Sequence, residues 1–377
     1  MNILFITPYY PPLSFGGIES QVRSLSQTLS KTENCSIIAP SIDKEKVSFE
    51  DKVKVYRTKR INPTFKYETN KEADYKFFDN VLKKEKIDKI IASNLFTWVS
   101  KITIASLLKA CKDNNVKIYL RVHNYATHDS VDMLKNRQWE KYLCISKDIG
   151  NQIVSLGVDK SRVKIVYPPI DTNIFYPKRS NSLREKLNIS KKSVLIIQAS
   201  RIAGGGKTFE EKGIPDLLEI FPKINKNTHL LFCVAATVKE SQNEFNKAIE
   251  KIQKISEELN IDERVHIISA SYEEMPEVYN NGDLFVMLSR IETFGRVYGE
   301  AMACGLPVIG LNVGGIPEVI ANFGFIVNSK EEALEKLKLL IKNKELRKKI
   351  GEKAKEFIRD TFSLEKIIKE ILEILKD

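Results

Sequence analysis

Two carboxylates stand eight residues apart in "RIETFGRVYGEAMACGLPVIG" (290–310): Glu292 and Glu300, with Phe294-Gly295 between them. A carboxylate takes paired hydrogen bonds from vicinal hydroxyls such as those of a ribose or a hexose. Met as isolated acids, the same two residues are equally well a pair of solvated side chains. Upstream, Arg201 follows the apolar run "SVLIIQAS", and Lys212 stands just before Gly213. Two cations fixed beyond one strand suit a diphosphate, the arginine through bidentate contacts and the lysine as a point charge. Lys207 is the rival to Lys212, and a solvated basic loop is the plain alternative to both. Gly16-Gly17, after the first apolar run, directly precedes a helical pattern from Ile18. Glycines at a helix start let a phosphate approach free N–H groups and the positive end of the helix dipole. They are also ordinary turn punctuation.

One motif is a decoy. A P-loop requires G-x-x-x-x-G-K-[ST]. Gly206-Lys207-Thr208 match its end, but Arg201 stands where the opening glycine belongs. Gly213 and Pro215 interrupt the helix that should follow, and the periodic run starts only near Leu217. An NTPase is therefore not favoured.

Strands and helices in alternation must position these residues. "NILFIT", "CSIIAP", "KIIAS" and "KIYLRVHN" read as strands, with helices "IESQVRSLSQTLS", "FFDNVLKKEK" and "TIASLLKAC" among them. "SVLIIQAS", "THLLFCVAA", "RVHIIS", "DLFVMLS" and "LPVIGL" restart the scheme. Repeated βα units imply parallel sheets with helices on both faces. "VYPPIDTNIFYPKRS" (167–180) breaks the rhythm and reads as a linker between two halves. The last segment, "SLEKIIKEILEILKD", is amphipathic and suited to packing back across the first domain. In open parallel sheets, ligands bind beyond the carboxyl ends of the strands, where all the residues above fall. The helix after Gly295 carries Val297, Ala301 and Cys304 on one side; Gly305 closes it and Pro307 prevents its continuation. Its N-terminus again suits a phosphate.

Bulk properties narrow the classes. Length 377, 42% apolar and 29% charged describe a globular chain long enough for two cores. No apolar run approaches the roughly 20 residues of a membrane span. "MNILFITPYYPP" lacks a basic n-region and reads as a first strand rather than a signal peptide. Five scattered cysteines without a CxxC pair suggest reduced thiols in a cytoplasm. The net charge of +11 is uneven: residues 1–170 hold 28 basic and 18 acidic side chains, and residues 171–377 hold 32 and 31. The basic half suggests an anionic partner, whether membrane surface, acceptor or nucleic acid, or else a lysine-rich solvated face.

Taken together, Leu284–Val327 strongly resembles the C-terminal signature of the family 4 retaining glycosyltransferases of GT-B fold. E-x7-E encloses Phe-Gly, and "EAMACGLPVI" and "GGIPEVI" follow. "PYYPPLSFGGIES" looks like the family's glycine loop, "LRVHN" like its histidine strand end, "VYPPIDTNIFYP" like its interdomain segment, and "SRI…KGIPDLL" like its phosphate site. The resemblance implies two Rossmann-like domains with parallel sheets facing a central cleft. An acceptor domain would cover 1–168, with the C-terminal helix at about 363–377 crossing back to it. A nucleotide-sugar domain would cover 169–362. It implies a hexosyltransferase using a UDP- or GDP-linked sugar as substrate, with no cofactor and no metal. Glu300 would hold the ribose and Glu292 the sugar hydroxyls. Arg201 and Lys212 would neutralise the diphosphate, and Gly16 and Gly17 would close on it. His123 would lie beside the transferred sugar. Backbone N–H groups at Phe294, Gly295 and Arg296 would meet the donor, and the base would rest on the loop Ser271–Met275. The acceptor would be a glycan, a lipid-linked glycan or another hydroxyl compound, reached from the cytoplasm or the inner membrane face. Transfer to nucleic acid and nucleotide-sugar binding without turnover are the alternatives. The basic half has no dense arginine-and-aromatic run, so nucleic acid is the weaker partner. Two departures stand out: Arg201 and Lys212 stand eleven positions apart, longer than the family's usual spacing, and Pro168-Pro169 replaces the interdomain Asn-Gly.

Overall fold

A computed structural model of the chain describes residues 1–11, 17–62, 67–178, 180–202, 207–236 and 242–377. The backbone divides into two units, Met1–Pro169 with Leu364–Asp377, and Ile170–Ser363.

The first unit is built on eight strands: β1 (Asn2–Ile6), β2 (Asn34–Pro40), β3 (Lys46–Glu50), β4 (Val53–Thr58), β5 (Lys89–Ser93), β6 (Lys117–Val122), β7 (Trp139–Cys144) and β8 (Val163–Ile165). Their order is β3-β4-β2-β1-β5-β6-β7-β8. The central strands are apolar on both faces because helices cover both, as in β1, where four consecutive residues are buried. All neighbours run parallel except β3 and β4. The parallel sheet expected from the repeated βα units thus carries one antiparallel pair at its edge. Asp51 and Lys52 both hold positive φ, 49° and 70°, and make a two-residue hairpin turn whose twist suits the strands it joins. The usual Asn-Gly or Asp-Gly signal is absent, which hid the hairpin in the sequence. The helix Leu364–Lys376 buries Leu364, Ile367, Ile368, Ile371 and Leu375 in the same core as Val22 and Leu25 of the helix Gly17–Leu29. Burial of each such side chain is worth roughly 1.5–3 kcal/mol before conformational entropy, enough to dock the C-terminal segment here.

The second unit carries six parallel strands: β9 (Val194–Ile202), β10 (Thr228–Ala236), β11 (Val265–Ile268), β12 (Leu284–Met287), β13 (Val308–Leu311) and β14 (Phe325–Val327). Their order is β11-β10-β9-β12-β13-β14. From β9 the chain moves to one side through β10 and β11, then returns to β9's other flank as β12. The order reverses between β9 and β12, and a ligand crevice opens at such a switch point, beyond the strand carboxyl ends. A helix occupies Ile214–Ile220, earlier than the Leu217 start read from periodicity. Pro215 lies in its first turn, where a missing N–H leaves no bond unmade. A further short helix, Lys207–Glu211, begins at the lysine of the P-loop-like stretch. The expectation that no helix follows the Gly-Lys-Thr directly is therefore wrong; the helix ends after five residues, before Gly213, and a second one starts at Ile214.

The 19-residue helix Lys344–Phe362 approaches the end of Arg296–Ala303 so closely that a Cβ on Gly351 would lie 1.9 Å from the Gly305 carbonyl oxygen. All five cysteines are free of disulfides, and four are buried. Among the described residues, no helix is long and apolar enough to cross a membrane.

Candidate active site

The loops after β9, β11 and β12 hold nearly all the site residues expected in the second unit. Arg201 is the penultimate residue of β9, exposed and without an ion pair among the described residues. The loop beyond it lies partly outside the described residues, as does Gly16, and the Lys207 side chain is likewise not described. After the short helix Lys207–Glu211, Gly213 turns the chain in left-handed conformation (φ 64°) into Ile214–Ile220. A Cβ there would lie 2.0 Å from the Leu288 carbonyl oxygen, so only glycine lets this turn rest on the exit of β12. Two bonds fasten the contact: Arg290 N–H donates to Glu211 O at 2.7 Å, and Ser289 Oγ donates to the same oxygen at 3.2 Å. Arg290 also clasps Asp216 through Nη2 at 2.9 Å.

The result is a direct meeting of two expected site residues. Lys212 Nζ lies 2.8 Å from Glu292 Oε2, with both side chains about one-fifth exposed or less. Glu292 is held from behind, since its carbonyl accepts from Gly315 N at 3.2 Å. A Cβ on Gly315 would come within 2.5 Å of Thr293 O. The "GGIPEVI" turn thus supports the Glu292 loop, a role its sequence does not announce.

Gly295 (φ 89°) opens the helix Arg296–Ala303. The Phe294 ring is buried and stands edge-on to Phe362 at 5.5 Å, so this residue can offer a ligand only its backbone. Glu300 is 5% exposed. Its Oε1 pairs with Arg296 Nη2 at 3.2 Å, and Tyr279 OH donates to Oε2 at 3.3 Å. Burial pushes the Glu300 carboxyl up, while Arg296 and Tyr279 pull it back. Arg296 donates to Tyr272 OH at 3.2 Å and lies 5.7 Å from that ring's centroid. Burial drives the Tyr272 phenol up to about 12, leaving it protonated. Sequence reasoning gave Arg296 a backbone role alone; its side chain instead turns onto Glu300, one helical turn away. Tyr272 and Tyr279 were missed altogether. Tyr272 lies inside the expected base loop, where Ser271 N bonds Glu274 Oε2 at 2.8 Å and Met275 touches Cys233 through sulfur at 3.6 Å. Tyr279 is 21 residues from Glu300, with no local pattern to link them.

In the first unit, His123 follows β6 and is 2% exposed. Its N–H donates to Asn94 Oδ1 at 3.3 Å, and Asn94 holds left-handed backbone (φ 53°) just after β5. Gly17 opens the helix Gly17–Leu29.

Cations, a helix N-terminus and a buried carboxylate meet at this switch point, and two family models match the sequence around it. "Glycosyltransferase Family 4" covers residues 15–174, and "Glycosyl transferases group 1" covers residues 180–357. The chain belongs to the family 4 glycosyltransferases. N-acetyl-alpha-D-glucosaminyl L-malate synthase of Bacillus anthracis is 27% identical over 237 residues, which is 62% of this chain and 58% of that relative. The chain thus aligns with little more than half of that protein's length. A glycosyltransferase from Rickettsia africae superposes with TM-score 0.81 at 19% identity, covering 100% of this chain and 97% of that one. Anabaena HepE, solved with UDP and glucose, superposes with TM-score 0.78 at 17% identity over the whole of both chains. At these identities the structural likeness concerns the fold, and that fold is GT-B: two α/β units, each on a largely parallel sheet. Membership of family 4 gives the Lys212–Glu292 and Arg296–Glu300 pairs their context, since both flank the E-x7-E helix start.

Proposed function

We propose that this protein is a retaining glycosyltransferase that moves a hexose-type sugar from a UDP- or GDP-linked donor to a hydroxyl acceptor. The observation that carries the reading is the pairing of Lys212 with Glu292 at the β9/β12 switch point, beside the helix start at Gly295. A sugar diphosphate has its hydroxyls and its phosphates next to each other, and this pair offers an acceptor for the first beside a cation for the second.

The reaction is charge management. The bond from the anomeric carbon to the phosphate oxygen breaks, leaving a cation-like sugar and a diphosphate anion. Arg201, Lys212 and the N–H groups opening Arg296–Ala303 meet that anion, stabilising charge as it develops. This route asks nothing of a metal. Glu292 receives sugar hydroxyls, and Glu300 receives the ribose. The Ser271–Met275 loop carries the base. His123 is assigned to the transferred sugar by its match to the family histidine. The acceptor attacks from the face the diphosphate leaves, and the leaving phosphate takes the acceptor's proton. Glycans and lipid-linked glycans are the acceptor class we favour. The basic residues of the first unit suit an anionic acceptor or the anionic inner face of a membrane.

Thermal unfolding with UDP-, GDP- and ADP-sugars tests the donor. A ligand at a hundred times its Kd stabilises by about 2.7 kcal/mol, so the correct donor should raise Tm plainly. No shift with any nucleotide sugar, together with no sugar transfer, would end the proposal. Co-sedimentation with phosphatidylserine vesicles at low and high salt tests the membrane partner.

A further inference from the structure

Glu300 has a surrounding that binding a ribose does not by itself demand. Its side chain is 7% exposed and that of Arg296 is 12% exposed, while Tyr279 has no exposure at all. One carboxylate oxygen faces the guanidinium at 3.2 Å, the other the phenol at 3.3 Å. Neither partner is itself loose. Arg296 is tied to the Tyr272 hydroxyl at 3.2 Å. The Tyr272 ring stands edge-on to Phe175 at 5.4 Å, and Phe175 packs on Tyr279 with centroids 6.0 Å apart. The two partners of Glu300 are therefore braced through one shared aromatic contact.

We propose that Arg296 and Tyr279 are positioning residues, which fix the Glu300 carboxylate so that each oxygen keeps one lone pair free for one hydroxyl of a nucleotide's ribose. The inference rests on the reading of this unit as a nucleotide-sugar site. A carboxylate oxygen accepts two hydrogen bonds, so one protein donor on each oxygen leaves one acceptor site on each. Two acceptors in a common plane match a vicinal diol. A free glutamate loses rotamer entropy on being ordered; here the ordering precedes the ligand. Burial pushes the carboxyl up, and the Arg296 cation pulls it back toward the ionised form.

Tyr279 is the cleaner probe. It is wholly buried, so its effect on a ligand must pass through Glu300. Tyr279→Phe removes one hydroxyl and leaves the ring contacts in place. Arg296→Met removes the cation and keeps the stem. The measurement is calorimetric Kd for each of three pairs: UDP and 2′-deoxy-UDP, GDP and 2′-deoxy-GDP, ADP and 2′-deoxy-ADP. The wild type should bind the ribonucleotide of its preferred pair at least tenfold more tightly, as expected for a hydrogen bond to a charged group. Tyr279→Phe should reduce that ratio to about threefold or less, with the deoxynucleotide's Kd unchanged within about twofold, and Arg296→Met should reduce it similarly. Glu300→Ala should bring the ratio to about one. Because the ratio is taken within each variant, a general loosening of the fold lowers both affinities and leaves it intact. If the wild type prefers ribose and both variants keep that preference, the positioning role is overturned and the nucleotide reading survives. If the wild type binds none of the six, or binds without preferring ribose, the assignment of Glu300 fails and the inference falls with it.

Discussion

Replacing Gly213 by alanine should damage this protein far more than replacing Gly305, although both hold left-handed backbone. Their φ values are 64° and 83°, and for any residue with a Cβ such a conformation costs roughly 1–2 kcal/mol. The neighbours differ. At Gly305 the nearest atom to a new Cβ is Pro177 Cγ at 3.4 Å, an ordinary contact; at Gly213 it is the Leu288 carbonyl oxygen at 2.0 Å. Backbone cannot yield there without moving the exit of β12, which adds roughly 1–3 kcal/mol of overpacking. The Arg290–Glu211 and Ser289–Glu211 bonds stretch with it, at about 1 kcal/mol. Gly213→Ala should therefore lose roughly 3–6 kcal/mol and Gly305→Ala about 1–2 kcal/mol. In a domain of this size 1 kcal/mol moves Tm by about 2–4 °C, so the first variant should melt roughly 10 °C lower and the second only a few degrees. Circular dichroism melts of the two variants beside the wild type decide it. Equal Tm losses would refute the close approach of the Lys212 turn to β12, and with it our account of how Lys212 reaches Glu292.

Further expectations concern the site and the scaffold. Glu300→Ala should weaken nucleotide binding, whereas Glu292→Ala should chiefly lower kcat, by about 10²–10³-fold; isothermal titration and transfer kinetics separate the two. Lys212→Ala should lower kcat on a similar scale and Lys207→Ala by less than about tenfold, with the reverse order reassigning the diphosphate contact. Nucleotide affinity should fall on acidification at a pH above the ordinary glutamate range, because burial raises the Glu300 carboxyl; titrations across pH 4–8 read this. Stability should also fall in acid through His229 and His266, whose ring nitrogens face each other at 3.0 Å across β10 and β11. Burial and then His229 push His266 from 6.5 down to about 4, while burial, then Arg264 and Arg184, lower His229. The unfolded chain binds the protons first, so this contribution is complete above pH 6.5 and is lost as the pH falls toward 4. Discounted for partial solvent screening it amounts to about 1–2 kcal/mol, and a flatter pH–stability profile in His266→Gln checks it. Gly351→Ala should destabilise by about 1–3 kcal/mol, read by chemical denaturation.

Nine parallel strands, β1, β2, β5, β6 and β9 to β13, were legible because buried β-strands are short apolar runs and the helices between them repeat every three to four residues; the parallel strands β4, β7, β8 and β14 were not. The same logic put Arg201 at a strand end and Lys212, Glu292 and Glu300 beyond strand ends. What escaped depends on contacts without a periodic trace. The β3–β4 hairpin turns on Asp51-Lys52, residues that seldom take positive φ together. The helix Ile214–Ile220 begins under a proline that reads as a breaker until its first-turn position is known. The Arg296 side chain could have been suspected from its four-residue spacing to Glu300, a common ion-pair distance on a helix. Tyr279 left no such clue, since only tertiary packing brings its hydroxyl to the carboxylate. Gly315 supports Thr293 through a contact that no spacing encodes.

The chain enters the second unit at Ile170 and leaves it at Ser363, and these two points touch. Ile170 N donates to Phe362 O at 2.8 Å, and Ile170 bridges Ser363 in parallel. One uninterrupted stretch of polypeptide, residues 170–363, therefore begins and ends at the same place and carries its own sheet and core. Expressed alone, it should fold as an autonomous nucleotide binder whose two ends can be joined by a short linker, opening the sequence to circular permutation.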